Sequence, residues 1–96
     1  MSDHDAVVRL YAEQIIEQAD AAGRGDPVSV SATSVIDKAI MHFRTLDDGL
    51  RSAVLLRQLA GLLRDAAEVP GRAGRSGDVL HIACDYAMQA AQALPD

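Results

Sequence analysis

A chain of 96 residues, 49% hydrophobic and 24% charged, has the make-up of one globular domain rather than of a disordered tail. Its formal charge of −5 repels a phosphate backbone on average, which disfavours a nucleic-acid partner. The single cysteine, Cys84, rules out an internal disulfide, no apolar run is long enough to cross a bilayer, and no basic leader precedes an apolar run, so a soluble cytoplasmic protein without a membrane partner is expected.

The charge is uneven. Residues 1–50 carry nine acids against four bases, whereas residues 51–96 carry five of each. Aromatic residues are limited to Tyr11, Phe43 and Tyr86, while alanine occurs 17 times. The core must therefore come from Leu, Ile, Val and Ala, and small side chains favour close helix approach.

Asp3 and Asp5 precede a helical pattern in which Val7, Leu10, Tyr11, Ile15, Ala19 and Ala22 share one side and Gly23 supplies a stop. The other side presents Arg9, Glu13, Glu17, Asp20 and Arg24. Ile16 beside Ile15 widens the apolar side, a feature that marks a second neighbour or a partner surface. The acids Glu13, Glu17 and Asp20, with Ile16, are thus candidate contacts for a protein partner.

Residues 24–33 hold Gly25, Asp26, Pro27 and alternating Val and Ser, an extended connector with no strand to pair with. Ser31, Thr33 or Ser34 caps the second helix, and Ser34 with Asp37 resembles a capping box. This helix runs to about Arg44 with Val35, Ile36, Ala39, Ile40 and Phe43 inward.

The stretch Leu46–Ala67 is apolar over more than one face, which predicts a central helix covered on several sides. Thr45 or Asp47 can cap it, and the short join implies that the second and third helices are neighbours. Its doublet Leu55/Leu56, like Ile15/Ile16, reads either as core or as interface. Its narrow polar arc carries Arg51, Arg57, Gln58, Gly61, Arg64, Asp65 and Glu68. Gly61 in mid-helix costs about 1 kcal/mol relative to Ala, and a close backbone approach there, by another helix or by a partner, is the expected reason.

Val69–Gly77 breaks the pattern as an exposed loop containing Arg72 and Arg75. Asp78 then caps a last helix with Val79, Ile82, Ala83, Tyr86, Ala90 and Leu94 inward. The whole reads as an all-α protein, a small four-helix bundle with a Gly/Arg-rich loop before its last helix.

Three constellations carry chemistry. His81 and Asp85 lie one helical turn apart with Cys84 beside them, a spacing that offers metal ligands, but a metal site needs three or four and His42 and His4 form no second pair. Cys84 as a nucleophile would need a lowered thiol pKa, which Asp85 opposes. The arginines Arg57, Arg64, Arg72 and Arg75 form a basic region suited to an anion or to nucleic acid, yet acids interrupt it and the spacing fits neither phosphate-binding loop fingerprint. No cofactor and no catalytic residue is implied. The expectation is a non-catalytic interaction module, an adaptor, regulator or inhibitor of a macromolecular partner, with a homodimer as one form. The alternatives are metal or ligand binding through His81, Cys84 and Asp85, and nucleic-acid binding through the four arginines.

Overall fold

The computed structural model describes residues 3–26, 31–46, 52–69 and 74–93. These form four helices, α1 (Asp3–Gly23), α2 (Ala32–Leu46), α3 (Ser52–Ala67) and α4 (Arg75–Ala93), with no strand among the described residues. The all-α bundle read from the sequence is the architecture observed. The connector at 27–30, Asp47, Leu50, Arg51, Arg72 and Leu94 lie outside the described residues.

The most extensive packing is between α3 and α4, and α1 lies against both. Helix α2 sits chiefly on α1 and α4 and touches α3 least, so the second and third helices meet as expected but through the smallest of the helix contacts. Phe43, Ile15, Ile36, Leu56, Leu59, Leu63 and Leu80 fill the centre and are fully buried. Each such side chain gains about 1.5–3 kcal/mol on leaving water. Leu55 and Leu56 are both core, which settles that doublet, while Ile15 is core and Ile16 only half-buried.

The inward face of α2 is as expected, with Ile40 half-buried at its edge. The faces of α1 and α4 are turned only in part from expectation: Ile15, Ala19 and Ala83 are buried, and Val7, Tyr11, Val79, Tyr86 and Ala90 pack at the edge of the core. On α1 the buried residues are Val8, Ala12, Ile15 and Ala19, and Leu10 is 52% exposed. On α4 they are Leu80, Ala83, Cys84, Ala87 and Ala91, and Ile82 is 62% exposed. The two tyrosines explain the turn. Tyr11 places its hydroxyl 2.8 Å from His42 Nδ1 and meets Phe43 edge-on, and Tyr86 donates to Asp37 Oδ1 at 2.6 Å. A buried ring with a polar tip must sit where the tip finds a partner, so both rings settle at the helix boundary and alanines take the centre.

Helix ends follow local chemistry. Ser31 caps α2: its Oγ accepts from Ser34 N at 3.2 Å, and its carbonyl accepts from Val35 N. The Ser34/Asp37 capping box therefore does not form, and Asp37 serves Tyr86 instead. Thr45 is part of α2, with Oγ1 donating to the His42 carbonyl, and does not cap α3. The stop of α1 is Gly25, not Gly23: at φ +79° it lets Gly25 N reach the Ala22 carbonyl and Asp26 N reach that of Ala21.

Gly23 has another role. A Cβ there would lie 2.9 Å from Ser76 Cβ, so the end of α1 and the start of α4 touch through a position without a side chain. Ser76 Oγ donates to Asp20 Oδ1 at 2.8 Å across that contact. This anchoring starts α4 at Arg75, takes Ser76 and Gly77 out of the expected loop, and leaves Asp78 in the first turn rather than as its cap. The carboxylate of Asp20 also lies where the amino end of α4 favours negative charge.

Candidate functional site

Packing of α1, α3 and α4 leaves two grooves, one on each side of α3, and Gly61 lines both. Among the described residues, no other helix of the chain makes a close approach to this glycine. A Cβ built on it would meet nothing within 4 Å, so the backbone of α3 is open to the outside at mid-helix. Replacing Gly61 by Ala therefore removes a helix-propensity penalty without a clash. Gly61→Ala is expected to raise the unfolding free energy by about 0.5–1 kcal/mol, measured by denaturant titration in dilute protein.

The groove between α1 and α3, about 410 Å³, is lined by Asp5, Val8, Arg9, Gln58, Gly61, Leu62 and Asp65. It continues past Arg9 and Leu62 into a hollow of about 290 Å³ lined by Ala12, Glu13 and Ile16. Its floor is apolar and its rim carries Asp5, Glu13 and Asp65 against one cation, Arg9. Of the α1 residues expected to meet a partner, Glu13 and Ile16 are here, and Glu17 is exposed one turn further along α1. Asp20 is elsewhere, holding Ser76 at the α1–α4 joint, and its role there is to fix the fold.

The groove between α3 and α4, about 370 Å³, brings together Arg57, Arg64, His81, Cys84, Asp85 and Met88 over Ala60 and Gly61. Two constellations that were separate in the sequence thus meet in one place: the arginines of α3 and the His81 cluster of α4. Arg57, Arg64, His81 and Asp85 are exposed, and Cys84 is buried at its base. Burial, and then the carboxylate of Asp85, push the thiol of Cys84 up from its ordinary value, only partly opposed by Arg64. A thiol so placed stays protonated at neutral pH and is a poor nucleophile. His42 is on α2, with its ring engaged by Tyr11.

Among the described residues no three His, Cys, Asp or Glu side chains converge as a metal site, and no helix is long and apolar enough to cross a membrane. The side chain of Arg75 lies outside the described residues, as does Arg72, so the basic region seen in the structure is Arg57 and Arg64. Sequence reading passed over Met88 and Asp65 as site residues. Met88 follows Cys84 by four positions and His81 by seven, which is the spacing of one helical face; Asp65 was legible only as a solvated charge until α1 closed a groove beside it. Comparison of the chain with known protein families, with characterised proteins and with solved structures finds no match.

Proposed function

We propose that this protein is a non-catalytic helical interaction module, a cytoplasmic adaptor, regulator or inhibitor, and that its partner sits across the outward face of α3. The observation that carries this reading is Gly61: an open backbone in mid-helix, flanked by a groove on each side, with no packing reason for the missing side chain. A glycine that costs the helix stability and fills no internal need is accounted for by close approach of something outside. The grooves have apolar floors and charged rims, which is the anatomy of a protein contact surface. The lone unpaired thiol of Cys84 suits a reducing compartment.

The test uses immobilised protein and a lysate of the cells that make it. Gly61→Gln places a flexible side chain of good helix propensity in the open space between the two grooves, so the fold is kept while close approach to the backbone is blocked. Wild type is expected to retain a partner in stoichiometric amount, and Gly61→Gln to lose it while melting no lower than wild type in dilute protein. Retention by both forms equally would contradict the placement on α3. No retention, together with a wild type that stays monomeric, would contradict the reading itself.

A further inference from the structure

We infer that the partner this face fits is a second copy of the chain, with the two α3 helices packed parallel about a two-fold axis and touching at Gly61. The inference rests on the proposed reading of the α3 face as an interaction surface, and names its occupant. It follows from how charge is divided between the grooves. On the α1 side the rim carries Asp5, Glu13 and Asp65 against Arg9; on the α4 side it carries Arg57 and Arg64 against Asp85. One face of the molecule thus has an acidic flank and a basic flank with an open glycine between them.

Symmetry then decides the arrangement. A two-fold axis parallel to α3 exchanges left and right, so the acidic groove of each copy lies against the basic groove of the other, twice over. An axis perpendicular to α3 would set basic on basic and acidic on acidic, and like charges across an interface are excluded at a cost. The sequence of α3 supports the parallel choice. Arg57-Gln58 and Arg64-Asp65 are seven residues apart, and each doublet puts a guanidinium on the α4 side and an acceptor oxygen on the α1 side. Seven residues is the repeat at which parallel helices present the same face again.

In the dimer, Arg64 of each copy meets Asp65 of the other, and Arg57 meets Gln58. Adjacent residues on one helix point to different flanks, so Arg64 and Asp65 each reach outward to the second copy. Val54, 45% exposed on the same outward face, covers its counterpart at the amino end of α3. Gly61 against Gly61 gives the backbones the closest approach, which a side chain at that position would prevent.

The experiment is sedimentation equilibrium on wild type, Arg64→Glu, Asp65→Arg and an equimolar mixture of the two variants, with thermal melts to confirm that each is folded. Wild type is expected at twice the chain mass of 10.2 kDa. Each variant alone places like charges together twice and should dimerise roughly tenfold more weakly or worse. Their mixture pairs Glu with Arg and Asp with Arg, and should recover the affinity of wild type. A mixture no better than its components, or a wild type monomeric at millimolar concentration, overturns the inference. If that monomer nevertheless captures another protein through Gly61, the second copy is the wrong occupant and the interaction reading stands. If it captures nothing, both fall.

Discussion

Truncating Phe43 to alanine is expected to lower the unfolding free energy by about 3–5 kcal/mol. Phe43 is the only phenylalanine in the chain and is fully buried. It joins two structural links at once. It fills the space where α2 lies on the rest of the bundle, and its ring, 5.8 Å from that of Tyr11 in an edge-to-face contact, holds the tyrosine whose hydroxyl meets His42. A domain of this size loses roughly 4–8 °C of melting temperature per kcal/mol, so the transition should fall by more than about 12 °C. Phe43→Leu, which keeps most of the volume, should recover most of that loss. An alanine variant melting within a few degrees of wild type would show that α2 contributes little to the core.

Overpacking α4 tests the opposite property. Ala83, Ala87 and Ala91 form its buried stripe with Leu80 and Cys84, and the first two have no exposed surface at all. Small side chains there let α4 lie close on α3 and α1, the contacts that frame the grooves. Ala87→Leu forces the helices apart or the leucine off its rotamer, and is expected to cost about 1–3 kcal/mol. Ile82→Ala, on the exposed side of the same helix, should change stability by less than about 0.5 kcal/mol. The pair discriminates between the two phases of α4: were the helix oriented as its large apolar residues suggest, the ranking of the two substitutions would invert. Both melts are read by circular dichroism under one buffer.

That inversion shows where sequence reasoning reached and where it stopped. The number of helices and their approximate spans were legible, because Gly and Pro clusters separate segments of clear helical periodicity. The inward face of α2 was legible too, since Val35, Ile36, Ala39 and Phe43 leave one choice of phase. On α1 and α4 the apolar arc is broad, and two phases fit. Size favours the one with Leu10 or Ile82 inside; the structure takes the one with alanines inside, because Tyr11 and Tyr86 require polar partners that only a boundary position supplies.

Helix ends were misread for related reasons. Gly23 and Gly25 look alike in sequence, and only the positive φ of Gly25 and the 2.9 Å approach at Gly23 separate a stop from a contact. Similarly, nothing local shows that Ser76 binds Asp20, a residue 56 positions away, yet that bond draws the start of α4 into the expected loop. The candidate site was legible residue by residue but not as a place. Arg57, Arg64, His81, Cys84 and Asp85 were each singled out, and it is the pairing of α3 with α4 that makes them one groove. The openness of Gly61 is likewise a property of what does not cover it.

That the outward face of α3 is where two copies of this protein meet is read most directly from backbone amide chemical shifts of labelled protein followed over a wide concentration range. Concentration-dependent shifts are expected at Val54, Arg57, Gln58, Gly61, Arg64 and Asp65 and on the groove-lining residues of α1 and α4, with α2 unmoved. Shifts gathered instead around the exposed Met41 of α2, or confined to Leu10 and Ile82, would place the contact elsewhere and contradict it.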